Sequence, residues 1–312
     1  MQRESSYSAS DVEIPVKVLH DVKLVWEATA NKRILLRHLQ LCPTNRCNLN
    51  CNFCSCADRQ KNSELSFGQA QSILKTAKKL GCNAITITGG GEPLLHPDIN
   101  EIIETCDDLN IGTGLVTNGL LLGNLKRLVD WCRISVHPGR DWKELSSVVA
   151  DTVPVFDTDW AFSYVLTALD NLVEVVEFAN NHNFTHVRVV SDILNPDERL
   201  MDKARKLLKG IDCKVIYQDR AKPTRGAQKC LISLLKPTIS AEGMLYPCCG
   251  SQYSERGQKR DFLGTMGASE NMESIWAKQQ HYIGTFCEVC YYSGYNKLLG
   301  LLTQDICHKE WC

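Results

Sequence analysis

The sequence predicts an α/β protein: a partial (β/α)6 barrel with a small, cysteine-rich α+β extension after it. Three observations carry this. Between residues 34 and 217, short apolar segments alternate with segments of helical periodicity about six times, as successive βαβ units on a parallel sheet do. Six units are too few to close an eightfold barrel. The strand ends run into Cys42-Pro43-Thr44-Asn45, Gly89-Gly90-Gly91-Glu92-Pro93, Asn118-Gly119 and His137-Pro138-Gly139, and parallel α/β folds gather their active sites at such ends. After residue 220 the alternation stops and cysteines crowd the chain. The expected organisation is an N-terminal extension over 1–33, the barrel over 34–220 and a cysteine-rich domain over 221–312.

In the extension, Ile14–Val18 and Val22–Trp26 read as short strands, Pro15 confining the first to a sheet edge. Ile34–Leu41 reads as the first buried strand. Leu65–Leu80 has helical periodicity through Phe67, Ala70, Ile73, Leu74 and Ala77, with Ser66 as N-cap and Gly81 as stop. Ala84–Thr88 is an uncharged strand of the kind covered on both faces. Pro97–Leu109 is a helix opened by proline, Gly112–Thr117 a strand, Leu122–Cys132 a helix and Arg133–Val136 a short strand. The expectation continues with a helix near Trp142–Val149, strand Ala161–Thr167, helix Asn171–Asn181, strand His186–Val190, helix Pro196–Leu208 and strand Cys213–Tyr217. Further on, Pro237–Ser240 and Met244–Pro247 flank Ala241-Glu242-Gly243 as a β-hairpin, and a helix is expected near Met272–Gln279.

Composition limits the function classes. A hydrophobic fraction of 44% suits a globular chain, and a formal net charge of −1 offers no global field for nucleic acid or an anionic membrane. Lys203, Arg205, Lys206 and Lys209 read as a solvated helix face. No apolar run approaches a membrane span, and Met1-Gln-Arg-Glu-Ser-Ser has no apolar signal core. The 16 cysteines therefore point to a reduced cytoplasm and to metal rather than to a secreted disulfide framework.

Cys47, Cys51 and Cys54 are spaced C-x3-C-x2-C. Three thiolates this close suffice for three irons of a cubane and leave the fourth iron open. A structural zinc site needs a fourth ligand, for which Cys42 or Cys56 would have to serve. The spacing, with Phe53 just before the third cysteine, resembles the radical S-adenosylmethionine (SAM) superfamily. That resemblance implies a [4Fe–4S] cluster on the three cysteines, its open iron chelating SAM, inside a partial barrel. Gly89-Gly90-Gly91 lacks the dinucleotide spacing and the lysine of a phosphate loop. With Glu92-Pro93 it resembles the superfamily's motif that hydrogen-bonds the SAM amino group; Glu92 is either structural or a ligand contact. The resemblance extends SAM contacts to Phe53, Asn118, Ser135, Thr167 and Arg188, with His137 near the same end.

In the second cysteine field, Cys230 precedes the hairpin, Cys248 follows it, and Cys287 and Cys290 form a further pair. Four thiols suit zinc or a fully ligated [4Fe–4S] cluster equally. The layout resembles the twitch-type auxiliary-cluster domain of several radical SAM enzymes, which implies an auxiliary [4Fe–4S] cluster on Cys230, Cys248, Cys287 and Cys290. Cys42, Cys56, Cys82, Cys106, Cys132 and Cys213 read as small buried residues; Cys307 and Cys312 stay unassigned. Cys249 is spare, and adjacent side chains of an extended stretch face opposite ways. It is either a packed thiol, the ligand in place of Cys248, or a hydrogen-atom donor as in radical SAM epimerases of sugars, aminoglycosides or peptides. The expected activity is that of an epimerase; the rivals are an alcohol dehydrogenase, a peptide cross-linking enzyme and a non-catalytic zinc–thiolate module. The expected partners are a small-molecule or peptide substrate and an electron donor such as flavodoxin or ferredoxin, with Asp192, Tyr253 and Tyr291 as pocket candidates.

Overall fold

A computed structural model of the 312-residue chain describes residues 15–219, 228–252, 265–283, 287 and 290–307. Tyr253, Cys312 and the expected domain boundary at 220/221 lie outside the described residues.

The chain enters through α1 (Val16–Leu19) and α2 (Val22–Ala30). This corrects the expectation of two strands. The β-branched residues suggested strands, but Asp21 caps α2 by accepting from the Leu24 amide at 3.0 Å and also takes the Arg37 guanidinium at 2.5 Å. Helical spacing then buries Val18, Leu24 and Ala28 together.

Next come β1 (His38–Leu41), α3 (Phe67–Lys79), β2 (Ala84–Ile87), α4 (Ile99–Asp108), β3 (Gly112–Thr117), β4 (Trp131–Val136), α5 (Trp142–Thr152), β5 (Asp159–Leu166), α6 (Leu172–Asn181), β6 (His186–Ser191), α7 (Glu198–Leu207) and β7 (Val215–Gln218). Strands β1 to β7 pair in sequence order, each parallel to the next. Ser66 opens α3 with a full capping box to Gln69. β1 starts four residues later than expected, because Ile34 and Arg37 bond instead to Gln279 and to the Leu235 carbonyl.

The expected helix Leu122–Cys132 is absent: one 3-10 turn, Leu122–Asn124, stands there. Trp131 and Cys132 belong to β4, paired with Gly114 and Leu115. Asn100 of α4 holds the Asn124 carbonyl and the Lys126 amide at 3.0 and 2.8 Å, which fixes the loop against that helix.

The C-terminal part comprises β8 (Lys229–Cys230), α8 (Ile232–Leu235), β9 (Thr238–Ile239), β10 (Met244–Tyr246), β11 (Gly267–Ala268), α9 (Met272–Ala277), β12 (Tyr282–Ile283) and α10 (Ser293–Leu302). The expected hairpin is β9/β10, turning at Gly243 with φ +74°. β9 also pairs parallel to β1. The described strands thus form a ten-stranded sheet in the order β11-β10-β9-β1-β2-β3-β4-β5-β6-β7, with β8 and β12 apart. The sheet is open, with β7 and β11 at its edges. Its outer side is packed by helices: Phe162 stacks on Phe184 and meets Trp142 and Phe178 edge-on. Residues of opposite parity face inward, and at the C-terminal ends they build the site.

Candidate active site

The triad loop leaves the end of β1. Successive turns, Cys51 O to Cys54 N at 3.1 Å and Cys54 O to Ala57 N at 3.2 Å, coil it so that Cys47, Cys51 and Cys54 line one cavity of about 300 Å³ with Phe53 and Gly89 to Glu92. All three thiols are half-buried. Burial raises Cys47 and Cys51, and the charges of Cys54 and Cys47 raise Cys51 further. A hydrogen bond with the Cys56 thiol lowers Cys54 and correspondingly raises Cys56. Among the described residues no three His, Cys, Asp or Glu side chains converge on one ion position.

The glycine turn presses directly on this loop. Gly91 N donates to Thr44 O at 3.1 Å and Glu92 N to Arg46 O at 2.7 Å. A Cβ on Gly91 would lie 2.0 Å from Arg46 O, and one on Gly89 would lie 2.2 Å from Gly91 O. Glu92 is buried and accepts from Leu94 N, Thr117 Oγ1 and Asn118 N at 3.1, 2.7 and 2.7 Å. Its carboxyl is raised by burial, against those three bonds. Both of its oxygens hold the turn to the end of β3.

Asn118, Ser135 and Arg188 also line the cavity. Asn118 Nδ2 donates to Asn48 of the triad loop at 2.7 Å. Ser135, Ser163 and Arg188 stand in one row across β4, β5 and β6, and Arg188 donates to Ser163 Oγ at 2.7 and 3.2 Å. Thr167 is the exception. Strand β5 ends at Leu166, the Thr167 amide turns back to Val165 O at 3.1 Å, and the residue is exposed and lines neither cavity. Ser163 and Val165 face the cavity in its stead. His137 Nε2 lies 3.8 Å from Cys51 Sγ, and its ring meets Phe53 edge-on at 4.8 Å.

Two cations were not legible in the sequence. Arg59 donates to Asn45 O at 2.8 Å, to Cys56 O at 2.6 Å and to Cys54 Sγ at 3.7 Å. Burial lowers the Arg140 guanidinium, while the charges of Cys51, Glu92, Glu144 and Cys47 hold it up.

A larger cavity of about 320 Å³ adjoins the first and shares Ser55, Cys56, Thr88, Gly89, Arg188 and Ile193 with it. Its far wall carries Cys230, Cys248, Cys249, Cys287 and Cys290. Burial raises the Cys230 thiol, and the charges of Cys248, Cys290 and Cys287 raise it further. Cys249 is exposed, its Sγ 3.4 Å from Tyr292 Oη. Lys236 is buried beside this wall; burial brings its ammonium down to about 8, opposed by Cys249. Tyr291 lines the cavity, whereas Asp192 folds back on Leu194 N at 2.8 Å. Cys42, Cys82, Cys106 and Cys132 are buried as expected, Cys56 and Cys213 are half-buried, and Cys307 is exposed.

Residues 41–141, from the end of β1 to the start of α5, match the model of the Radical SAM superfamily. The chain carries a radical SAM domain. Relatives of this domain include a protein named "Probable GTP 3',8-cyclase" from Methanocaldococcus jannaschii, 41% identical over 93 residues, which are 29% of this chain and 31% of that one. The GTP 3',8-cyclase of Staphylococcus aureus is 36% identical over 97 residues, 28% of either chain. The chain thus spans about a third of the length of the curated relatives it matches. The likeness in fold extends further. SuiB of Streptococcus suis, solved with S-adenosylmethionine, is similar over 89% of this chain and 79% of its own at 17% identity, with a TM-score of 0.61. The enzyme anSMEcpe, solved with AdoMet and a peptide, is similar over 88% of this chain and 85% of its own at 13% identity, with a TM-score of 0.52. Among the described residues no helix is long and apolar enough to cross a membrane.

Proposed function

We propose that the protein is a radical SAM epimerase, inverting one carbon centre of a natural-product sugar, aminoglycoside or peptide with Cys249 as hydrogen-atom donor. The observation that carries this reading is the separation of Cys249 from its neighbour. The Cys230 thiol has Cys248, Cys287 and Cys290 as its charged neighbours, while the Cys249 thiol lies 3.4 Å from Tyr292 Oη and lines the larger cavity. In the reading, Cys47, Cys51 and Cys54 hold a [4Fe–4S] cluster, the glycine turn, Phe53, Asn118, Ser135 and Arg188 hold SAM, and Cys230, Cys248, Cys287 and Cys290 hold an auxiliary cluster. The half-buried thiols, the Cβ-free turn against them and the adjoining cavity fit these groups.

When bound, SAM and the reduced cluster supply a 5′-deoxyadenosyl radical that removes one hydrogen atom from a substrate C–H bond. The chain's own residues decide the rest. The cavity walls hold the planar substrate radical and exclude water. The Cys249 thiol gives its hydrogen atom to the opposite face of that carbon. The S–H bond breaks, a C–H bond of inverted configuration forms, and the sulfur radical is restored by one electron from a low-potential donor such as flavodoxin or ferredoxin and one proton from water. The relatives' name of cyclase is not carried over, because the match covers under a third of either chain. A dehydrogenase is the second reading, favoured by the four-thiol group lining the same cavity, which suits an electron acceptor.

Anaerobically reconstituted protein in deuterated water tests this. A donor thiol puts one solvent deuteron on each inverted product, and Cys249→Ala keeps 5′-deoxyadenosine formation but loses inversion. A product two hydrogens lighter, free of deuterium and unaffected by Cys249→Ala, establishes the dehydrogenase instead.

A further inference from the structure

We propose that Tyr292 is a further catalytic residue, whose phenolic hydrogen atom passes to the Cys249 sulfur radical and restores the thiol. This rests on Cys249 being the hydrogen-atom donor and deepens that reading.

The two groups are held in contact by separate elements. Tyr292 immediately precedes α10, and Asn296 N donates to its carbonyl at 3.1 Å. Cys249 lies in a turn closed by Ser251, whose amide and hydroxyl both donate to Cys248 O, at 3.1 and 2.8 Å. Tyr292 Oη is then 3.4 Å from Cys249 Sγ, within the separation of about 3–3.5 Å at which positioned groups react without further approach. Both residues line the larger cavity. Cys249 is exposed, whereas Tyr292 is 8% exposed. The thiol is thus the accessible member of the pair and the phenol the sheltered one.

The chemistry suits such a pair. A phenolic O–H bond is about as strong as a thiol S–H bond, so hydrogen-atom transfer between them is nearly balanced in energy. Once Cys249 has given its hydrogen atom to the substrate carbon, the Tyr292 O–H bond breaks, the Cys249 S–H bond forms, and the unpaired electron moves to the phenolic oxygen. One electron from the low-potential donor and one proton from water then restore the Tyr292 hydroxyl. The net demand of the cycle, one electron and one proton, is unchanged. The surroundings favour the last step. Lys236 Nζ lies 5.6 Å from the centre of the Tyr292 ring, and burial brings its ammonium down only to about 8, so it is charged at neutral pH. The arriving electron puts negative charge on the phenolic oxygen, and a nearby ammonium in a buried setting stabilises that charge.

The test puts the radical on Cys249 by light and so needs no substrate. Full-length, reconstituted protein is treated with phenacyl bromide, and mass mapping locates the thioether on Cys249. Near-ultraviolet irradiation of the frozen sample splits the carbon–sulfur bond into a phenacyl radical and a Cys249 sulfur radical, and is continued until mass analysis shows the label released. The readout is the electron paramagnetic resonance spectrum after annealing. The wild type gives a tyrosyl signal that narrows when the tyrosines are ring-deuterated. The signal is lost in Tyr292→Phe and in Cys249→Ala. It is kept in Tyr295→Phe, whose ring meets that of Tyr292 edge-on at 6.1 Å. Difluorotyrosine at position 292 keeps the hydroxyl and the ring, and adds fluorine splitting to the same signal, which assigns the radical without removing a group. Release of the label with no tyrosyl signal in the wild type, a signal that survives Tyr292→Phe, or a signal without fluorine splitting overturns the assignment. Failure of the epimerase reading is separate: it appears as an oxidised, deuterium-free product, whatever the light-driven transfer shows.

Discussion

Gly91→Ala perturbs the contact between the glycine turn and the triad loop, and its size follows from the structure. An added Cβ would lie 2.0 Å from Arg46 O and 2.5 Å from Asn45 C. Both are backbone atoms, so no side chain can swing aside. The turn must retreat, which loosens the bonds from Gly91 N to Thr44 O and from Glu92 N to Arg46 O. Two backbone hydrogen bonds at about 1 kcal/mol each and a local overpacking of about 2 kcal/mol give a loss of about 4 kcal/mol. At about 2.1 cal/mol/K per residue, a chain of this length then melts about 6 °C lower. Gly68, on α3, is the control: a Cβ there meets nothing within 4 Å, so Gly68→Ala gains about 0.5–1 kcal/mol. Arg46 immediately precedes Cys47, so Gly91→Ala also shifts the triad and reduces the absorption near ~400 nm expected of an iron–sulfur cluster. The assay is a thermal melt of both variants with spectra of the reconstituted proteins. A Gly91→Ala protein with wild-type melting temperature and spectrum would refute the reasoning.

Single alanine substitutions of Cys47, Cys51 or Cys54 lower the iron bound per chain by about four atoms and abolish SAM cleavage. Cys106→Ala, on the buried face of α4, costs about 1–2 kcal/mol of stability and no iron; iron analysis alongside urea melts checks both. The buried His186 yields a pH effect of defined sign. Burial pulls its imidazole down to about 3 from 6.5, so it folds neutral while the unfolded chain takes up a proton. Its contribution is complete above pH 6.5 and falls as pH drops towards 3, by about 2 kcal/mol at pH 5. In urea melts at pH 7.5 and 5.0, His186→Gln should lose about 2 kcal/mol less than the wild type on acidification; equal losses contradict the assignment. Asn45 is fully buried, and its Nδ2 donates to Glu242 at 2.6 Å and to Gln60 O at 3.1 Å. Asn45→Ala removes both bonds at the root of the triad loop and lowers stability by about 1–2 kcal/mol in a denaturant melt.

Local chemistry made part of this molecule legible in sequence. Gly112–Thr117 reads as a strand because it is short, apolar and bounded by Asn110 and Asn118, and it is one. The Ser66 cap, the hairpin at Gly243 and the glycine turn are likewise decided within a few residues. What failed was decided at a distance. The leader's Val, Leu and Trp residues suit a strand as well as a helix, and the Asp21 cap with its Arg37 partner selected the helix. Trp131 and Cys132 have fair helix spacing, but the free edge of β3 claimed them. The site divides in the same way. Three cysteines and three glycines announce themselves by spacing, whereas Arg59 and Arg140 are ordinary residue types whose roles arise only when chain segments meet. Ser163 had a usable signal: once β4, β5 and β6 are set in register, it falls in the row of Ser135 and Arg188.

The arginines also change how the chain's charge is to be understood. A net charge of −1 suggested no electrostatic feature. Yet the triad cavity brings three thiols and the buried Glu92 together, and a half-buried cluster of negative groups is unfavourable without nearby cations. Arg59 comes from the loop just past Cys56 and Arg140 from the turn after β4, so two independent segments supply the compensation. The other thiol wall has its own cation in Lys236, buried beside Cys249 and Cys248. Each cysteine group therefore has a cation beside it, a local feature that a total of 35 Lys and Arg against 36 Asp and Glu does not reveal. Replacing Arg140 by Met keeps its length and removes its charge. The expected result is that Cys47 and Cys51 are harder to ionise, so cluster reconstitution shifts to higher pH while α5 and the melting temperature stay close to wild type. Reconstitution with an unchanged pH dependence would show that Arg59 alone balances the triad.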